Sequence, residues 1–118
     1  MKAIFQNSVE LERFVKEKYH FPPYIMMENA ASSMEIVLNS LVSASCTSKV
    51  LIKTKVLIVC GSGNNGADGI ALARRIFGKY DVSVFLCNGD PKTDEGKVQF
   101  EMAKSVGVNF VNFDDFCS

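Results

Sequence analysis

The chain has 118 residues, of which 47% are hydrophobic, and its 13 basic residues balance 13 acidic ones. This length allows at most one domain, and the apolar fraction is sufficient for a core. The neutral balance, without a basic stripe, excludes nucleic acid as an expected partner, and no apolar run approaches the ~20 residues of a membrane span.

The cysteines point to a reducing environment. Cys46, Cys60, Cys87 and Cys117 show no C-x-x-C spacing, and the start of the chain lacks the pattern of a signal peptide. We therefore expect a cytoplasmic protein with reduced thiols.

Two amphipathic helices are predicted before the first strand. Asn7 and Glu10 fit a capping pair for a helix that ends near His20. A second helix opens at Pro23, with Glu28 and Asn29 placed where they can reach a following loop or a second subunit. The apolar face of this second helix is predicted to comprise Met27, Ala30, Ala31, Met34, Leu38, Leu41 and Val42.

The next stretch predicts a strand, a glycine-rich turn and a helix. Val56 to Cys60 is an uninterrupted apolar run, as expected for a central strand covered on both faces. Glycines follow, and helical periodicity resumes with Ile70, Ala73, Phe77 and Tyr80. Ser43 to Lys55 is predicted to be a polar connection.

The turn has the composition of a ligand-binding loop. Gly61, Gly63 and Gly66 satisfy the G-x-G-x-x-G spacing, which lets a ligand approach the main chain beside a helix N-terminus that favours phosphate. The predicted binding residues are Asn64, Asn65, Gly66, Ala67 and Asp68, through their amides and the side-chain oxygens of Asn64 and Asp68. Alternatively, Asp68 only caps the helix, and the asparagines only accommodate left-handed turn geometry.

The remaining elements complete an α/β pattern. Val82 to Leu86 predicts a second strand, Cys87 to Asp90 a turn, and Asn109 to Val111 a short third strand. Between them lies a helix that begins near Thr93 and stops at Gly107. The prediction is a doubly wound, Rossmann-like parallel sheet with two N-terminal helices, truncated after about three strands.

The motifs carry a family resemblance. The segment from Gly61 to Gly69 resembles the G-x-G-N-N-G-G-D-G signature of the YjeF N-terminal domain, the NAD(P)H-hydrate epimerase family, with Ala67 where that family usually has glycine. Met26 to Ala31 is similar to the family's upstream M-E-x-A-G segment. The resemblance covers residues 1–118 as the N-terminal part of a single domain, because the family's later D-A-x-x-G-T-G motif has no match here.

The resemblance implies an isomerase of cofactor repair. The family interconverts the R and S epimers of hydrated NADH and NADPH, called NADHX and NADPHX, and a partner or fused dehydratase restores the S form. It also implies a potassium ion bound through the carbonyl of Asn65, and a homodimer formed with help from the N-terminal helices. The catalytic acid or base is not identified, and we expect it downstream of Ser118.

Two other functions and one structural expectation remain open. The glycine spacing also fits the dinucleotide-binding half of an NAD(P)-dependent dehydrogenase, and the cleft also fits a non-catalytic nucleotide-binding module. Without a fourth strand, Val56 to Cys60 is an apolar edge strand. We therefore expect a fragment that needs a complementary segment or self-association.

Overall fold

The fold alternates helices with parallel strands, as seen in a computed structural model that describes residues 10, 13, 17–20, 22–45 and 53–112. The elements, in chain order, are α1 (Pro23–Ser45), β1 (Lys55–Cys60), α2 (Asn64–Ile76), β2 (Asp81–Leu86), α3 (Asp94–Val106) and β3 (Asn109–Val111). All three predicted strands are present, with β1 one residue longer than its apolar run.

The strands form a parallel sheet in the order β1-β2-β3. The register pairs Ile58 with Val84, and Val84 with Phe110. Helices α2 and α3 cross between consecutive strands, as parallel pairing requires. The α/β prediction with a Rossmann-like parallel sheet is therefore confirmed.

Strand β1 is covered on one face, so the prediction of a strand buried on both faces is wrong. Cys60 is buried and Ile58 is half-buried beneath α2, whereas Leu57 is 37% exposed and Val59 is 60% exposed. The physical reason is position. β1 lies at the end of the strand order, and the side chains that alternate away from α2 have no described helix over them.

The core lies between the sheet and the helices. Met27 and Ala31 of α1 are buried as predicted, but Leu41 is 62% exposed and does not belong to the inner face. The reason is angular position, since Leu38 and Val42 pack against the core while Leu41 lies one turn after the exposed Val37, at the edge of the inner face. The buried cluster comprises Ala31, Cys60, Ile70, Ala71, Leu72, Ala73, Ile76, Tyr80, Val82, Val84, Ala103 and Val108.

Helix α2 starts and ends earlier than predicted. It begins at Asn64, inside the expected turn, and ends at Ile76, so Phe77 and Tyr80 are not helical. Gly78, with φ of 90°, turns the chain after the helix. Tyr80 is nevertheless buried, and its hydroxyl donates to Asn39 Oδ1 at 2.5 Å.

Several predictions fall partly outside the described residues. In the predicted first helix, Glu10, Arg13 and residues 17–19 are helical, while Asn7 lies outside. His20, with φ of 58°, follows that helical segment. In the predicted polar connection, α1 continues to Ser45 and residues 46–52 lie outside the described residues. Of the four cysteines, Cys46 and Cys117 therefore also lie outside them. None of the helices in the described segments combines the length and apolar character needed to span a bilayer.

Candidate functional site

The glycine-rich turn lies where the carboxyl ends of β1 and β2 meet. The Cys87 amide donates to the Cys60 carbonyl at 3.0 Å, and the Lys92 amide donates to the Ser62 carbonyl at 3.0 Å. These bonds hold residues 87–92 beside the turn. Ligands of doubly wound sheets bind at the carboxyl ends of the strands, so the turn lies where this fold favours ligand binding.

The later glycines of the motif are required by packing. A Cβ atom on Gly66 would lie 1.9 Å from the Gly61 carbonyl oxygen, a distance that no real contact allows. A Cβ atom on Gly69 would lie 2.8 Å from Cys60 Sγ and 3.2 Å from Ile58 Cγ2. Glycine at these positions lets α2 lie directly on the turn and on β1.

The earlier glycines have no such packing reason. Within the part of the chain that the structure describes, and apart from sequence neighbours, a Cβ atom on Gly63 would meet no atom within 4 Å, and one on Gly61 would meet only Asn88 Nδ2, at 3.9 Å. Neither residue adopts the left-handed conformation that favours glycine. Gly63 is the N-cap of α2 and supplies no capping side chain. The space over Gly61 and Gly63 is therefore open for a ligand.

Unpaired amide donors border this open space. Asn64 and Asn65 are exposed, and Gly66 is buried beneath them. Within the segments that the structure describes, no acceptor pairs with the amides of these three residues, which are the first of α2. A helix N-terminus adds a partial positive charge, so the arrangement can bind a phosphate or a carboxylate.

The last two predicted binding residues lie differently from the first three. Ala67 is 1% exposed, its amide donates to the Gly63 carbonyl at 3.1 Å, and its methyl group faces α3 near Gly96. The prediction that all amides from Asn64 to Asp68 face a ligand therefore needs correction. The Ala67 amide is already used by the first hydrogen bond of the helix.

Asp68 is a half-buried residue in the second turn of α2. The first turn holds no acidic residue, and the cap is Gly63. The cap-only alternative is therefore wrong for Asp68, because α2 begins earlier than its apolar periodicity indicates. Asp68 and Asn65 lie three residues apart, so their side chains leave the helix on the same side.

The oxygen donors of α2 are of the type that a potassium ion accepts. Asn65 offers an amide oxygen and Asp68 a carboxylate, three residues apart on one helix. These donors fit the ion chemically as part of a coordination shell. Among residues 22–45 and 53–112, no group of three or more His, Cys, Asp or Glu side chains forms a metal-binding cluster.

Glu28 does not reach the turn, contrary to one expectation for the upstream motif. Its carboxylate pairs with Arg74 and, at 3.3 Å, with Arg75, and both arginines lie in the last turn of α2. Burial, and to a smaller extent the charge of Arg75, lowers the pKa of Arg74. Glu28 therefore ties α1 to α2, and Asn29 is exposed.

Two cysteines flank the turn without forming a catalytic pair. Burial, with a smaller contribution from Cys87, raises the pKa of the Cys60 thiol to about 11. Cys60 therefore stays a protonated core thiol at neutral pH. Cys87 is exposed, and its Sγ donates to the Cys60 carbonyl at 3.4 Å.

Asn88 is a candidate that sequence reasoning missed. The sequence predicts only a turn at this position, yet Asn88 Nδ2 lies 3.9 Å from where a Gly61 Cβ would be. The Asn88-Gly89 pair marked a turn, but only the pairing of β1 with β2 places that turn beside the glycines.

Comparisons with known proteins identify the family of this chain. A family model described as YjeF-related protein N-terminus matches residues 23–118. The chain is 34% identical to the NAD(P)H-hydrate epimerase of Oenococcus oeni, over all of this chain and 56% of that protein. It is 36% identical to the bifunctional NAD(P)H-hydrate repair enzyme Nnr of Helicobacter pylori, over 92% of this chain and 21% of that protein.

A solved structure shows the same fold. The crystal structure of yeast ynu0, YNL200c, superposes with a TM-score of 0.76 at 21% identity, over 92% of this chain and 45% of that chain. The chain thus spans between 21% and 56% of the length of these relatives.

Proposed function

The chain belongs to the family of YjeF-related protein N-termini, and on that premise we propose that it forms the first part of an NAD(P)H-hydrate epimerase domain. The reaction is an isomerisation that interconverts the R and S epimers of NADHX and NADPHX. The relatives from Oenococcus oeni, an NAD(P)H-hydrate epimerase, and Helicobacter pylori, a bifunctional NAD(P)H-hydrate repair enzyme, support this assignment.

One observation carries the proposal at the level of residues. The described residues leave the space over Gly61 and Gly63 open although their packing does not require glycine there, and amides of α2 that have no acceptor among those residues border that space. Glycine at such positions serves close approach of a ligand to the main chain. A nucleotide phosphate is the group that this arrangement binds best.

The binding residues take distinct roles in this proposal. The amides of Asn64, Asn65 and Gly66 bind a phosphate of the hydrate, since they are the unpaired donors of α2. The side chains of Asn64 and Asp68 accept hydrogen bonds from ligand hydroxyls. Ala67 contributes by packing α2 against α3 rather than by contact with the ligand.

A potassium ion completes the proposed site. Asn65 would hold it through a carbonyl oxygen, and the Asp68 carboxylate on the same side of α2 provides a second oxygen. When bound, the ion would supply positive charge near the phosphates. The proton transfer at C6 needs a separate acid or base, and the Cys60 thiol, with a pKa of about 11, does not serve as one at neutral pH.

The proposed setting is a cytoplasmic homodimer that works with a dehydratase. Helix α1 has no basic residue and exposes Ile36, Val37 and Leu41, an apolar outer face that a second copy can cover. The free thiols of Cys60 and Cys87 support the cytoplasm. The bifunctional names of several relatives support a fused or separate dehydratase as partner.

The test has a binding arm and an activity arm. The 118-residue chain is titrated with NADHX, with NADH as the control, and the chain is also joined to the downstream part of the Oenococcus oeni epimerase. We expect the isolated chain to bind the hydrate, and the joined protein to convert R-NADHX into a mixture of epimers.

Other outcomes identify the competing functions. Hydride transfer from NADH to an acceptor would show the dehydrogenase half instead. Tight nucleotide binding without epimerisation in a joined protein that folds, as judged by its melting curve, would show a non-catalytic module.

A further inference from the structure

The turn after β2 forms a second side of the proposed site. The Cys87 amide bonds to the Cys60 carbonyl, so the residue that follows, Asn88, lies beside Gly61. Asn88 is exposed, and among the described residues outside 60–62 its Nδ2 is the only atom within 4 Å of the position that a Gly61 Cβ would occupy. A ligand resting on Gly61 therefore meets the Asn88 side chain.

The chemistry of this position is informative. In doubly wound dinucleotide folds, an acidic residue at the end of the second strand binds the ribose hydroxyls and disfavours a 2′-phosphate. Here β2 ends at Leu86, and the next polar side chain is the neutral amide of Asn88. Asp90 and Lys92 follow, both exposed and of opposite charge.

An uncharged amide can serve either form of the cofactor. Its Oδ1 accepts a hydrogen bond from a ribose hydroxyl, and its Nδ2 donates one to a phosphate oxygen. Neither contact leaves a carboxylate facing the 2′-phosphate of NADPHX.

We propose that Asn88 is a specificity residue that contacts the ribose end of the hydrated cofactor and lets the site accept NADHX and NADPHX alike. This rests on the proposed function and adds the residue that sets its tolerance for the 2′-phosphate.

The decisive variant is Asn88→Asp, which keeps the size of the side chain and adds one negative charge. Dissociation constants for NADHX and NADPHX are measured on the 118-residue chain. The wild-type constants should agree within about threefold, and the variant should bind NADPHX about tenfold more weakly while NADHX changes little.

The matched control is Asn109→Asp at the opposite, amino end of the sheet, where Asn109 donates to Ser83 Oγ at 3.4 Å. It should leave the ratio of the two constants unchanged, and melting curves confirm that both variants are folded. A second variant, Asn88→Ala, should weaken the binding of NADHX and NADPHX by the same factor.

The outcomes separate this inference from the proposed function. Equal binding of both hydrates by wild type and by Asn88→Asp would overturn the role of Asn88 while leaving the function standing. Strong wild-type discrimination between the two would also overturn it. A wild-type chain that binds neither hydrate, both alone and joined to the downstream part of the Oenococcus oeni epimerase, would overturn the function itself.

Discussion

The two halves of the glycine motif, Gly61 with Gly63 and Gly66 with Gly69, contain glycine for different reasons. At Gly66 and Gly69, an added Cβ would collide with the turn or with β1, so the fold itself excludes other residues. At Gly61 and Gly63, the added atom would come no closer than 3.9 Å to any described residue beyond its sequence neighbours. One spacing pattern therefore combines a packing requirement with a ligand-access requirement, and different measurements should detect each.

This difference predicts opposite responses to substitution. Changes at the packing glycines should lower stability first and binding only as a consequence. Changes at the open glycines should lower binding while the fold persists. A motif read only as a nucleotide fingerprint would predict loss of binding at all four positions.

Gly66→Ala should have the largest effect on stability. Its methyl group would lie 1.9 Å from the Gly61 carbonyl oxygen and 2.9 Å from the Gly61 nitrogen, so helix α2 must move off the turn. We expect a loss of about 3 kcal/mol in the free energy of unfolding, as for an overpacked core, measured by urea denaturation.

The control for that measurement is Gly63→Ala, the same added methyl group three residues earlier at the open N-cap. It should cost ~0.5 to 1 kcal/mol, since alanine is a poorer cap than glycine. If the two alanine variants lose equal stability, the packing difference between the halves of the motif does not exist.

The fold was predictable because its signals are local. The apolar runs of β1 and β2, and Gly107 with φ of 111° after α3, each mark an element within a few residues. The start of α2 was not predictable in this way. The first three residues of the helix, Asn64, Asn65 and Gly66, are poor helix formers, and the cap at Gly63 supplies no side-chain hydrogen bond. The close contact between Gly66 and Gly61 is therefore what fixes the start of α2.

The site was predictable only in part, for a geometric reason. The motif located the right segment, but a sequence pattern does not show which residues of a helix face the core. The structure separates the exposed Asn64 and Asn65 from the buried Ala67. Asn88 follows the end of a different strand, β2, and it lies beside Gly61 only because β1 pairs with β2.

Gly63→Ser sharpens the comparison by separating binding from stability. Serine at an N-cap with extended geometry, here φ of −92° and ψ of −166°, can bond an amide of the first turn and should raise stability by a few tenths of a kcal/mol, roughly. The same side chain enters the open space and uses an amide that the phosphate needs. We expect about tenfold weaker NADHX binding, by calorimetry.

Unchanged NADHX binding in a Gly63→Ser chain that melts at or above the wild-type temperature would break the comparison. It would mean that the open space over the earlier glycines does not receive the ligand.

Asp68→Ala should give the smallest effect and tests how far the ligand site extends along α2. Asp68 lies beyond the open amides but on the same side as Asn65, and it already has an interaction within the chain. Loss of one hydrogen bond to the ligand should weaken NADHX binding about threefold to tenfold, while stability falls by less than about 1 kcal/mol.

The control is Asp94→Ala in the first turn of α3, which should cost ~0.5 kcal/mol through the helix dipole and leave binding unchanged. If binding and stability instead fall by the same free energy in Asp68→Ala, the carboxylate only supports the helix, and the ligand-contacting part of the motif ends at Gly66.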